Sequence, residues 1–190
     1  QPACGCPTTP RISKLAPALA LAFAGIGAAQ AQQFSGVVSF GDSLSDAGNL
    51  AALSGLPPGN SFTTNPDPVA AQIVAAAFGY NQGNSLAGGS NYAYGGACAN
   101  AAGPCVNPAA PRLGQQLGQY LTPRGGRADG NALYTVWMGA NDIFAALGGG
   151  VWTTQPQIQA GTTVVATSVV GNVLALQNAG ATSPVIFNLP

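Results

Sequence analysis

Short apolar runs that stop abruptly at glycine and polar residues, with helix-forming stretches between them, constrain this chain more than any other feature. Gly36 to Phe40 (GVVSF) is β-branched and aromatic and halts at Gly41-Asp42, the pattern of a buried strand entering a loop. Ala132 to Met138 repeats it, running straight into Gly139 and polar residues, so a loop is expected there. SPVIFNLP, from Ser183, is another apolar strand, and SNYAYGGA, from Ser90, reads as a strand followed by a glycine turn. Asp67-Pro68 ahead of VAAQIVAAAF offers an N-cap acid, a proline at the first helical position and good helix formers, which predicts a helix from about Pro68 to Phe78. After Pro111, the residues Leu113, Leu117, Tyr120 and Leu121 share one helical face. The longest helix candidate runs from about Pro156 to Asn178, with Ile158, Val165, Val169, Val173 and Leu176 in phase and Gly180 to end it. Gly148 to Gly150 read as a loop or hinge. Strands alternating with helices predict an α/β fold built on a parallel sheet with helices on both faces. Such sheets bind ligands outside the carboxyl ends of their strands.

The first 31 residues are expected to lie outside that fold. Arg11 and Lys14 precede the apolar run LAPALALAFAGIG, and small residues end at Ala29-Gln30-Ala31, the order of a secretory signal peptide. The run is too short to span a bilayer and contains Pro17 and two glycines, so no transmembrane segment is expected there. Residues 32–190 would form the exported domain, in the periplasm, at the cell surface or outside the cell. Disulfides persist in those compartments, which makes Cys98 and Cys105, on either side of ANAAGP, a candidate pair. Five basic and five acidic side chains offer no electrostatic footprint for nucleic acid. No His or Cys spacing resembles a metal site, and no cofactor is predicted: GIGAAQ lacks the third glycine of a dinucleotide loop.

Charge is scarce, yet three of the five aspartates, Asp42, Asp46 and Asp142, fall in two short segments. VVSFGDSLSDAGN sets Ser43 in a tight turn directly after a strand, where its hydroxyl can project toward a substrate; as a lone motif this equally fits a Ser or Asx turn with Asp46 capping a helix. In NYAYGGA, Gly96 can bring a backbone N–H against a ligand with no Cβ in the way, with Gly95 as the neighbouring alternative. In WMGAND, Asn141 offers a side-chain amide at the same end of the sheet. Acyl transfer needs such donors aimed at the oxyanion that forms when a nucleophile adds to a carbonyl.

These three segments, in this order, resemble the GDSL or SGNH hydrolases, a family of lipases, esterases and acylhydrolases, over about residues 36 to 190. The resemblance implies a flavodoxin-like three-layer α/β/α sandwich, with Ser43 as nucleophile and Gly96 and Asn141 in the oxyanion hole. The SLSDAGN extension and the leader look most like the secreted bacterial branch that includes autotransporter esterases. The substrate implied is a small-molecule or lipid ester. The family's later DxxH block, source of the triad aspartate and histidine, has no counterpart, since the chain contains no histidine. A serine hydroxyl needs a base within reach, and carboxylates of ordinary pKa are weak ones. The expectation is therefore an N-terminal portion of a longer hydrolase, with its C-terminal part missing and inactive by itself. The competing class is a secreted non-catalytic protein that uses the same frame for binding or surface display.

Overall fold

A computed structural model describes residues 33–57 and 59–189, so the expected leader lies outside the described residues. Strands β1 (Val37–Gly41), β2 (Leu133–Trp137) and β3 (Ser183–Ile186) form a parallel sheet in that order. Val37 is in register with Leu133, and Leu133 with Ser183. Ser90 to Tyr94 runs along the free side of β1: Tyr92 N–H donates to Ser39 O at 2.7 Å and Tyr94 N–H to Gly41 O at 3.2 Å. The spatial order is thus second segment, first, third, fourth. The chain leaves β1 toward one side and returns on the other, so the loops after β1 and β2 part at a topological switch point.

The Ser90–Tyr94 segment differs from the regular strand expected there. It keeps a single parallel bridge to β1, Ser39 to Asn91, and a second on its other side, Asn84 to Asn91. The ladder stops because side chains take its places. Gln116 Oε1 accepts the Gly41 N–H at 3.0 Å in place of a backbone carbonyl of the segment, and on the segment's other side Asn49 Nδ2 donates to Asn91 O and Ala93 O at 2.8 and 2.9 Å.

Among the described residues five α-helices complete the layers: α1 (Asn49–Leu53), α2 (Ala70–Ala77), α3 (Leu113–Leu121), α4 (Ala140–Gly148) and α5 (Gln155–Asn178). One sheet face, through Val38, Phe40, Tyr134 and Val136, packs on Leu113, Leu117 and Tyr120 of α3 and on Val165, Val169, Val173 and Leu176 of α5. The other face, through Val37 and Leu133, meets Ala75 of α2. The three-layer α/β/α reading holds. Each Val- or Leu-sized side chain so buried contributes about 1.5–3 kcal/mol, which makes the α3/α5 side the main core. α5 is long and apolar enough to cross a bilayer by composition. Its Val165, Val169, Val173 and Leu176 stripe is nevertheless spent on the sheet.

Two helix boundaries depart from expectation. α2 begins at Ala70 rather than Pro68, because Gln72 Oε1 reaches back to the Val69 N–H at 3.1 Å and makes Val69 the cap in place of Asp67. The residues after β2 that read as a loop are helix α4. α5 ends as expected: Gly180, at φ 116°, donates to Gln177 O and Ala181 N–H to Leu176 O, closing the last turn through a left-handed residue.

Cys98 and Cys105 are joined by a disulfide, with Cα atoms 5.7 Å apart and a sequence separation of 7. Closing so small a loop stabilises by about 2.5 kcal/mol in the chain-entropy treatment. Cys105→Ser is expected to lower the unfolding free energy by about that amount. Urea denaturation of both proteins checks it, and equal midpoints would exclude a stabilising bond.

Candidate active site

β1 delivers the chain to a turn that its first residue builds. Asp42 O accepts the N–H groups of Ser45 and Asp46 at 3.1 and 3.0 Å, and Asp42 Oδ1 accepts the Leu44 N–H at 3.1 Å. Ser43 stands at the top of this turn, half-buried. Its carbonyl accepts the Thr63 hydroxyl at 3.2 Å. Its own N–H and Oγ have no hydrogen-bond partner among the described residues.

Asp46 joins that turn to the glycine segment. Its buried carboxylate accepts four backbone N–H groups, those of Gly48 (2.8 Å), Asn49 (2.6 Å), Leu50 (3.1 Å) and Gly95 (2.8 Å). The Gly95 N–H is thereby committed, whereas the Gly96 N–H has no acceptor among the described residues. Gly96 sits at φ 74°, and a Cβ there would lie 2.6 Å from Asn107 Cβ, so conformation and space both require glycine.

Asn141 and Asp142 enter from the first turn of α4. Asn141 Nδ2 donates to Ala97 O at 2.9 Å. Asp142 accepts the N–H groups of Ala99 and Asn100 at 2.8 and 2.9 Å. The three segments singled out in the sequence are therefore bonded to one another beyond the carboxyl ends of β1 and β2. Burial pushes the Asp42 carboxyl up to about 6, and the neighbouring Asp142 charge adds to the rise. Burial also raises Asp142, against the lowering by its two backbone donors. Among the described residues no group of three or more His, Cys, Asp or Glu side chains gathers to hold a metal ion.

Two supporting side chains escaped the sequence reading. Gln116, fully buried, bonds both the N–H and the O of Gly41, at 3.0 and 2.9 Å, and so fixes where β1 gives way to the Ser43 turn. A glutamine between Leu113 and Leu117 on the apolar face of α3 was the available signal. Asn49 uses its whole amide, donating to Asn91 O and Ala93 O and accepting from Ser85 Oγ and the Leu86 N–H, both at 3.1 Å.

A family model described as GDSL-like lipase/acylhydrolase matches residues 37–189, from the first residue of β1 to just beyond β3. The chain belongs to that family. It is also similar to Lipase 1 of Photorhabdus luminescens, with 34% identity over 174 residues, 90% of this chain and 24% of that protein. The chain thus spans about a quarter of the length of this curated relative. The GDSL-family match takes in all three bonded segments, and the sheet and its helices lie within it.

Proposed function

We propose that this GDSL-family domain serves a secreted carboxylic ester hydrolase in which Ser43 Oγ is the nucleophile. The Ser43 N–H, the Gly96 N–H and Asn141 Nδ2 are the oxyanion donors. One observation carries the reading: among the described residues the N–H groups of Ser43 and Gly96 lack acceptors where the three segments meet, while Asp46 occupies that of Gly95. Loss of one such donor costs acyl-transfer enzymes about 2.7–4 kcal/mol of transition-state stabilisation. Ser43 Oγ adds to the ester carbonyl, the alcohol leaves on collapse of the tetrahedral intermediate, and water then hydrolyses the acyl-enzyme.

The base is not among these 190 residues. No histidine is present, and Lys14, the only lysine, belongs to the expected leader. Asp42, the elevated carboxyl nearest in sequence, is engaged in holding the turn through the Leu44 N–H. An aspartate and histidine from further residues of the parent protein are proposed to complete the triad. Export is part of the same proposal, supported by the Arg11 to Ala31 pattern and by a disulfide that an oxidising compartment would preserve.

The test compares hydrolysis of a short-chain aryl ester by this chain and by a longer version that includes the parent's downstream residues. The longer protein is expected to turn over and to lose at least ~10⁴-fold on Ser43→Ala. Equal turnover by both, abolished by Ser43→Ala, would refute the external base. A rate left unaltered by Ser43→Ala would refute Ser43 as nucleophile, and no turnover by the longer protein would instead favour a binding protein on this frame.

A further inference from the structure

From the loop that crosses over the nucleophile turn, we infer that the Ser43 site selects esters whose acyl group is a hydrocarbon chain of several carbons, with Phe62 as the determinant. This rests on the assignment of Ser43 as nucleophile.

The segment Ser61–Asn65 is a self-locked turn. The Ser61 N–H donates to Asn65 Oδ1 at 2.7 Å, and Asn65 Nδ2 donates back to Ser61 O at 2.6 Å. Two bonds fasten it to the nucleophile turn: Phe62 N–H to Asp46 O at 3.2 Å and Thr63 Oγ1 to Ser43 O at 3.2 Å. The Phe62 ring then lies on the glycine segment. A Cβ on Gly95 would fall 2.5 Å from Phe62 Cδ2, 2.7 Å from Phe62 Cε2 and 2.7 Å from Leu50 Cδ2. One edge of the ring thus rests on the residue next to Gly96, and its backbone is anchored to the turn that presents Ser43.

Despite these fastenings Phe62 remains 47% exposed, and Leu44, the residue after Ser43, is 37% exposed. A ring held in place by its own backbone and by Gly95, yet half open to solvent, is a preformed apolar wall. Its own loop carries no charge, since no charged residue occurs between Asp46 and Asp67, and the neighbouring Asp46 carboxylate is buried and taken up by four backbone N–H groups. Because the Phe62 loop is bonded to the Ser43 turn and its ring lies on Gly95, an acyl chain leaving Ser43 with its oxygen toward the Gly96 N–H is expected to run along that ring. Extra methylenes would leave water against that ring, whereas an acetyl group is too short to use it.

The experiment uses the 190-residue chain with imidazole as the external base. Ser43 Oγ bonds to the acyl carbon as the bond to p-nitrophenolate breaks, and imidazole takes the hydroxyl proton. Labelling of Ser43 by p-nitrophenyl acetate and by p-nitrophenyl hexanoate is timed by intact-mass measurement and mapped by peptide analysis, with Ser43→Ala as blank. Four added methylenes, one side of which meets the ring, are expected to label about tenfold faster. Phe62→Ala is expected to reduce that preference to about twofold or less. Should Phe62→Ala fail to fold by circular dichroism, Phe62→Gln keeps bulk over Gly95 while presenting an amide to the substrate, and is expected to lose the preference too. A preference that is absent, or unchanged in both variants, overturns the inference and leaves Ser43 as nucleophile. Chain-length selection that appears only when the alcohol is lengthened does the same. Absence of Ser43 labelling by either ester overturns the nucleophile assignment and this inference with it.

Discussion

Asp46→Ala is expected to cost ~4 kcal/mol or more of unfolding free energy, the largest effect of any single change near the site. The carboxylate is fully buried and accepts four backbone N–H groups. A buried donor left without an acceptor costs about 1–3 kcal/mol. The four losses will not simply add, because Gly48 and Asn49 open the five-residue helix α1, whose end can loosen and admit water. Gly95 has no such escape, with Phe62 and Leu50 packed on it. A loss of this size is a large share of the 5–15 kcal/mol that usually holds a domain together. Asp46→Asn keeps one acceptor oxygen and should lose less. Urea denaturation of the three proteins measures the series, and a loss below ~1 kcal/mol for Asp46→Ala would contradict the clamp.

The same carboxylate marks the limit of what the sequence could reveal about the site. The turn that carries Ser43 was readable because a strand, a glycine and a turn are local signals. Which of Gly95 and Gly96 keeps an N–H without an acceptor among the described residues was not, because it depends on which N–H Asp46 takes from 49 positions away. Likewise Ser90 to Tyr94 has the composition of a strand, but its pairing with β1 is interrupted by Gln116 and its other side is held by Asn49, neither of which a local pattern connects to it. α3 and α5 were legible since their apolar stripes face the core at helical spacing. α4 was not: Phe144 and Leu147 point to solvent, and its buried side chains include Asn141 and Asp142, so it lacks an inward apolar stripe. α1, at five residues, is shorter than the window in which periodicity can be seen. The start of α2 moved because Gln72 caps Val69, a choice between two polar side chains that composition leaves open.

Unfolding free energy is expected to fall as the pH rises from about 4 to 6, opposite in sense to ordinary acid denaturation, and Asp42→Asn should remove most of that fall. The folded Asp42 carboxyl is pushed from 3.8 up to about 6, chiefly by burial. The native state therefore holds a proton that the unfolded chain releases. That stabilisation is fully present below the unfolded value of 3.8 and is lost as the pH passes through 6. The difference amounts to as much as ~3 kcal/mol. Asp142, raised by burial, adds to the fall with the same sign. Asp129, lowered by its bond to Ser35, opposes it weakly from the surface. An asparagine at 42 keeps an oxygen for the Leu44 N–H and has no charge to bury. It should be nearly neutral at pH 3.5 and stabilising by up to ~3 kcal/mol at pH 8, as judged by urea midpoints at the two pH values. Wild-type protein that is more stable at pH 8 than at pH 4, with no gain from Asp42→Asn at pH 8, would exclude a buried proton at this position. The prediction also separates the two acids of the nucleophile turn: Asp46 bonds four N–H groups and holds the structure, whereas Asp42 offers one acceptor oxygen and is expected to cost stability near neutral pH.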